Sequence, residues 1–322
     1  MSIKLYPLVF EPILQDRIWG GTKLKTDLGK NIPTQTTGES WELSTVQDNV
    51  SVVKQGEYAG KPLTDLLEQF PNEVLGTKVH EKFGTQFPLL FKFLDAKEDL
   101  SIQVHPNDEL AKKRHNSFGK TEMWYVMQAD QGSRIIVGFK HKSSPDEYLD
   151  KLKNKQLIDI LNEQPVQKGD VYFLETGTIH AIGAGIVIAE IQQTSDITYR
   201  IYDWDRVDAE GKSRQLHVEE ALDAMNYNTT DTKKEYTKDV NKSNTTVDCP
   251  YFTTNYLPLE GSAEVAKDGS SFTVYICTEG DFTATVEGES YSFKKGDTIL
   301  LPAAIKQYTL TGTATLLEIY IS

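Results

Sequence analysis

The sequence predicts a mainly β protein of two barrel- or sandwich-like units with a small helical insertion. Three observations carry that expectation. Short alternating runs broken by Gly and Pro fill most of the 322 residues, the punctuation of strands and turns. Stretches with helical spacing are few. A segment from the middle of the chain also recurs near its end, which points to a duplicated architecture.

Residues 5–60 alternate in short pieces around Trp19-Gly20-Gly21, Gly38, Gly56 and Gly60, with Ser40–Ser44 and Val50–Val53 reading as strands. The period changes at Leu63. Leu63, Leu66, Leu67 and Phe70 share a helical face in a segment over 63–76, with Thr64 as its N-cap. Strands resume at Leu89–Leu94 and Leu100–Val104, and His105-Pro106-Asn107-Asp108 turns into a short polar helix, Glu109–His115. Glu122–Met127 and Arg134–Phe139 are strands. Ser144-Pro145-Asp146-Glu147 opens a helical excursion over 145–162, with Pro and acids where a helix start favours them. Val171–Leu174 returns to strand. Ile186–Gln193 and Ile197–Asp203 are strands on either side of a polar corner, Thr194–Asp196. A short helix covers 218–226, Tyr227–Thr246 is a polar linker, and strand–turn–strand runs from Tyr251 onward. The expected division is a first domain over 1–240 and a second over 241–322.

With Lys+Arg at 34 and Asp+Glu at 47, the formal charge is -13. Nucleic acid and anionic membranes are therefore excluded as main partners. An anionic small molecule needs a local basic cluster working against the global field. No apolar run is long enough to span a bilayer. The start, Met1-Ser-Ile-Lys-Leu-Tyr-Pro, lacks the pattern of a signal peptide, so a cytoplasmic location is expected. Cys249 and Cys277 form no close-spaced pair and cannot build a disulfide framework. No oligomeric partner is evident.

The chemistry concentrates between Gly177 and Arg206. Alternation puts Glu190 and Gln192 on one face of their strand, and Asp196, Thr198, Arg200 and Tyr202 on one face of the next. The opposite faces carry Ile191, Ile197, Tyr199 and Ile201, so both sides are enclosed. Enclosed charges need partners or a ligand. The repeat sharpens this reading. Lys168-Gly169-Asp170 leading to His180 aligns with Lys295-Gly296-Asp297 leading to Gln307, and Glu122 aligns loosely with Phe272. The second copy thus lacks the polar groups of the first, as expected of a duplicated barrel with one working half. Gln103, His105, Glu122 and His180 are the candidate metal ligands, while His80, His115, His141 and His217 are read as structural. Two imidazoles with oxygen ligands suit Zn2+, and a His-His-carboxylate set also suits non-haem Fe(II).

Gln103-Val-His105-Pro-Asn-Asp, Lys120-Thr-Glu122-Met-Trp, Gly177-Thr-Ile-His180-Ala and Glu190 through Ser195-Asp196 to Arg200 resemble type I phosphomannose isomerases, in order along nearly the whole chain. The resemblance implies a pair of cupin (jelly-roll) barrels with a small helical part. It implies one Zn2+ per chain on Gln103, His105, Glu122 and His180, and interconversion of mannose 6-phosphate with fructose 6-phosphate. Arg200 matches the family's catalytic arginine and Lys120 its motif lysine. Longer relatives continue from that arginine with A-G-x-T-P-K, whereas this chain reads Ile-Tyr-Asp-Trp-Asp-Arg206, the pattern of a short bacterial branch.

An aldose–ketose interconversion through an enediol needs a base near C1 and C2, charge stabilisation at both oxygens and a grip on the phosphate. Glu190 is the candidate base or proton shuttle, or else a partner for Arg200. Lys120, Arg206 and Ser101 are placed to gather the phosphate, Arg200 and Asp196 to orient the sugar, and Trp19 to wall it or to fill the core. Two alternatives belong to other classes: an Fe(II) cupin oxygenase using His105, Glu122 and His180, and a non-catalytic sugar-phosphate-binding cupin.

Overall fold

A computed structural model describes residues 5–207 and 210–322; the first four residues, on which the signal-peptide expectation drew, lie outside them. The described strands form three main antiparallel sheets. The first runs, in spatial order, Ile13–Gly21, Thr37–Leu43, Leu89–Ala96, Ile186–Gln193, Glu122–Ala129, Val171–Leu174 and Lys233–Lys234. The second runs Tyr199–Tyr202, Ile102–Val104, His180–Ile182, Arg134–Phe139 and Leu161–Pro165. The C-terminal sheet runs Asn244–Asp248, Thr253–Ala266, Gln307–Tyr320, Thr273–Val286 and Glu289–Lys294, with Thr298–Leu301 also beside Thr273–Val286. The mainly β expectation is met, by packed sheets that do not close into hydrogen-bonded rings.

The two-residue period of a strand decides what each sheet faces. Leu94, Trp124, Val126 and Ile188 of the first sheet form one buried cluster with Ile135, Val137 and Ile182 of the second. Phe91, Phe93, Met123, Tyr125 and Ile191, on the alternate positions, pack instead on Phe272, Val274, Ile276 and Leu317 of the C-terminal sheet and on the helical insertion. Lys92, Glu122 and Glu190 share parity with Leu94, Trp124 and Ile188. They are therefore enclosed between the first two sheets, and each is buried.

Several local expectations shift. The helical stretch over 63–76 is two helices, Leu63–Gln69 and Pro71–Leu75, with Pro62 and not Thr64 at the N-cap position. Pro71 lacks the N–H that continuation requires, so it restarts the turn. A further helix, Thr77–Phe83, escaped detection because it buries only Val79. Ser144 does cap Pro145–Lys153, accepting the Glu147 N–H at 3.2 Å. That excursion then breaks into Leu157–Ile160 and the strand Leu161–Pro165. Ile197–Asp203 shortens to Tyr199–Tyr202, and the linker over 227–246 lends the edge strand Lys233–Lys234 to the first sheet.

Both copies of the Lys-Gly-Asp turn adopt one geometry. Gly169 and Gly296 sit at φ 90° and 89°, the left-handed region that favours glycine. Asp170 O accepts the Val126 N–H and Asp297 O the Cys277 N–H, each at 2.9 Å. The register that follows places Glu122 opposite Leu174 and Thr273 opposite Leu301. The counterpart of Glu122 is therefore Thr273, not Phe272. A one-residue slip changes faces, and Phe272 belongs to the layer between sheets. Neither Thr273 nor the exposed Gln307 supplies a carboxylate or an imidazole to the second copy.

Candidate metal centre and cavity

Register builds the site from two rows of side chains on facing sheets. Across the first sheet, Trp41 lies opposite Lys92, Lys92 opposite Glu190, and Glu190 opposite Trp124. Directly opposed side chains touch, and these do. Lys92 Nζ sits 4.8 Å from the Trp41 ring centroid and 3.3 Å from Glu190 Oε1, while Trp124 Nε1–H donates to Glu190 Oε2 at 3.1 Å. Across the second sheet, Arg200 lies opposite Gln103 and Gln103 opposite His180. His105 follows that strand by one residue, and Glu122 opens its own.

His105, Glu122 and His180 bring their ligand atoms within 4.8 Å of one another, all three buried. Each imidazole donates its Nδ1–H to a backbone carbonyl: His105 to Ile197 O at 2.9 Å, His180 to Thr178 O at 2.8 Å. The lone pairs of both rings are thus presented at Nε2. Burial holds His180 down at about 4 and His105 well below its ordinary range, with Lys120 adding to the effect on His105, so both are neutral, as a metal requires. Nε2 of His180 stands 3.4 Å from Glu122 Oε1, and that of His105 3.6 Å from Glu122 Oε2. Gln103 Nε2 lies 3.3 Å from His180 Nε2, and a half-turn of the amide presents its oxygen there.

These residues fit a divalent cation. Neither oxygen of the fully buried Glu122 receives a well-formed hydrogen bond, although Lys120 Nζ is only 3.0 Å from Oε2. Burial pushes the Glu122 carboxyl up, to about 7. Glu190 is also buried, but Lys120 and Lys92 outweigh that burial and hold it below the usual carboxylate range. Glu122 is left the under-compensated anion, and a cation held with the two imidazoles would supply what it lacks.

A cavity of about 600 Å³ opens beside this centre. Gln103, Lys120, Glu190, Ser101, Asp196, Arg200 and Trp19 all line it, and His105, Glu122 and His180 lie behind them. Arg206 does not line it. Its guanidinium pairs with Asp203 at 2.7 Å, and Arg214 takes both oxygens of the same carboxylate at 2.6 and 2.7 Å. Arg17 and Arg214 line the cavity in its place, and Arg17 is held by Glu39 at 2.8 and 3.2 Å. Arg200 differs from both. Nη1 donates to Gln215 O at 3.0 Å, but its buried Nε has no partner, and burial together with Arg214 depresses its pKa. Gln192, expected beside Glu190, turns its amide to Ser195 O at 2.6 Å.

The residues missed from sequence are Arg17, Glu39, Trp41, Lys92, Arg214 and His217. Lys92 and Glu39 carried a usable signal, as charges inside the buried runs Leu89–Ala96 and Thr37–Leu43, which also hold Asp95 and Glu42. Arg17 and Arg214 carried none, since each sits in a polar stretch.

Two family models match: phosphomannose isomerase type I, catalytic domain, over residues 8–158, and mannose-6-phosphate isomerase, cupin domain, over residues 242–321. The chain is 39% identical over 314 residues to the mannose-6-phosphate isomerase ManA of Bacillus subtilis, covering 96% of each. It is 37% identical over 308 residues to the mannose-6-phosphate isomerase of Streptococcus mutans, covering 95% of each. The crystal structure of a Bacillus subtilis mannose 6-phosphate isomerase superposes with a TM-score of 0.90 at 36% identity, over 97% of this chain and 99% of that one.

Proposed function

The chain belongs to the type I phosphomannose isomerases, and from that premise we propose that it interconverts mannose 6-phosphate and fructose 6-phosphate through an enediol, using one Zn2+ per chain. The observation that supports the metal is the buried Glu122 carboxylate, whose oxygens receive no well-formed hydrogen bond, facing two neutral imidazoles that present Nε2 toward it. Gln103, His105, Glu122 and His180 are the proposed holders, a nitrogen and oxygen set that suits Zn2+. Bound there, the ion supplies Lewis-acid polarisation at the sugar's C1 and C2 oxygens.

The chain's own residues supply the rest. Glu190, kept ionised by Lys120 and Lys92, is the proposed proton carrier between C1 and C2. Lys120, whose pKa is raised because Glu122 and Glu190 outweigh its burial, remains a fixed cation at the cavity floor. Arg200, with Nε unspent, stabilises charge that develops on the sugar oxygens. Arg17, Arg214 and Ser101 receive the phosphate, with Arg206 acting through Asp203 to hold Arg214 in place. Trp19 walls the sugar, and Asp196 offers it a hydrogen-bond acceptor. A cytoplasmic location accords with a phosphorylated substrate, and among the described residues no helix is long and apolar enough to cross a membrane.

A coupled assay on mannose 6-phosphate, run beside metal analysis and oxygen uptake, tests this reading. Turnover proportional to bound zinc, without oxygen consumption, is expected. No turnover in zinc-replete protein overturns the reaction, and full turnover without metal overturns the zinc.

A further inference from the structure

Asp108 ties three separate pieces of chain together beside the metal ligands. Its Oδ1 accepts the Gly119 N–H at 2.8 Å and a Gln193 Nε2–H at 3.0 Å, and its Oδ2 accepts the Tyr251 hydroxyl at 2.9 Å. Gln193 passes the connection on. Its Oε1 accepts the Thr121 N–H at 2.9 Å, and its own N–H donates to Thr121 O at 3.1 Å. Thr121 stands between Lys120 and Glu122, the cavity-floor cation and the metal-facing carboxylate. The segment has no slack at its other end, where a Cβ on Gly119 would lie 2.7 Å from Asp108 N and 2.8 Å from Asn107 C.

Tyr251 is the far end of this chain of hydrogen bonds. It lies in the turn between two strands of the C-terminal sheet, Asn244–Asp248 and Thr253–Ala266, and among the described residues that sheet contributes none to the cavity lining. Its hydroxyl is pushed up to about 12 by burial and by Asp108, so it stays a donor at any physiological pH. Three donors on one carboxylate are charge-assisted and geometrically selective.

We propose that Tyr251 is a positioning residue: acting through Asp108 and Gln193, it sets the placement of Lys120 and Glu122 and makes the C-terminal domain part of the support of the active centre. The proposal rests on the isomerase and metal reading above. Residues that orient ligands from behind are typically worth about 10- to 100-fold in metal affinity or activity, and Tyr251→Phe removes one hydroxyl without changing volume.

The test uses the full-length chain and two readouts. Zn2+ affinity, measured on metal-stripped protein by competition with a chelating dye, reports Glu122 without any turnover. The kcat on mannose 6-phosphate at saturating Zn2+ reports Lys120. In Tyr251→Phe the expected results are about tenfold weaker Zn2+ binding and about tenfold lower kcat, with KM within about twofold. The thermal midpoint of the metal-free protein should stay within about 2 °C, since one peripheral hydrogen bond is lost. Wild-type affinity with wild-type kcat overturns the proposal, as do losses that merely track a lower metal-free midpoint. If the parent protein turns over no mannose 6-phosphate yet Tyr251→Phe still weakens Zn2+ binding, the proposed reaction fails and the positioning role stands.

Discussion

At the scale of single residues, the centre is legible wherever chemistry and motif coincide. His105, Glu122 and His180 each belong to a distinctive short pattern, and the structure gathers them. His180→Ala is expected to abolish stoichiometric Zn2+ retention, whereas Gln307→Ala, at the matching place in the second copy, leaves it intact; metal analysis of the two purified variants decides. Arg200→Ala is expected to lower kcat by about 10²- to 10³-fold with bound metal unchanged, because a donor aimed at developing charge is removed and no ligand is touched. Loss of metal together with activity in that variant would reassign Arg200 to structure. Arg206 shows where residue-level reading stops. A basic residue on the correct side of Arg200 is visible in sequence, but its engagement by Asp203 is a tertiary fact.

At the scale of strands, register carries the site. Trp41, Lys92, Glu190 and Trp124 are scattered in sequence and become neighbours only through antiparallel pairing. Sequence alternation correctly put Glu190 on an inner face, but it could not choose which strands flank it. The Glu122–Phe272 alignment failed for the same reason. Without the turn hydrogen bonds that fix register, a one-residue offset in the repeat is invisible. The edge strand pair offers a pH test. Glu39, on Thr37–Leu43, has its carboxyl brought down to about 2, because Lys92 and Arg17 outweigh its burial. A lowered folded pKa stabilises above the ordinary carboxylate value, and that stability drains away as pH falls toward 2. The difference amounts to up to about 3 kcal/mol. Glu39→Gln is therefore expected to be less stable than the parent at pH 7 and to converge with it between about pH 5 and 2. Denaturant melts across that range would reveal parallel curves if the pairing contributes nothing.

At the scale of the molecule, one sheet serves two masters. Its inner face holds one of the two rows that line the candidate site, and its outer face is a continuous apolar layer shared with the helical insertion and the C-terminal sheet. The recurrence of the Lys-Gly-Asp turn was readable from the repeat, and the two turns share one geometry. The interlayer packing was not, because Leu89–Ala96 is mostly apolar on both faces, with one charge on each, and does not announce which partner lies on which side. Stripping the metal should expose the cost of the centre as a whole. A ligand bound only by the native state stabilises by mass action, about 4 kcal/mol at a thousandfold excess over Kd. Chelator-treated protein is therefore expected to melt several degrees lower and to recover with added Zn2+, by scanning calorimetry. A midpoint indifferent to zinc would count against a single tight site.

The pairing of Arg17 with Glu39 and of Arg214 with Asp203 bears on how a dianion reaches the cavity. Of the three guanidiniums that line the cavity, Arg17 is paired with Glu39 and Arg214 shares the one Asp203 carboxylate with Arg206, while the chain as a whole carries a charge of -13. Little attractive field then extends past a Debye length, about 8 Å at physiological ionic strength. Capture of a sugar phosphate becomes a short-range event, in which unassisted diffusion delivers the molecule and the last few ångströms select it.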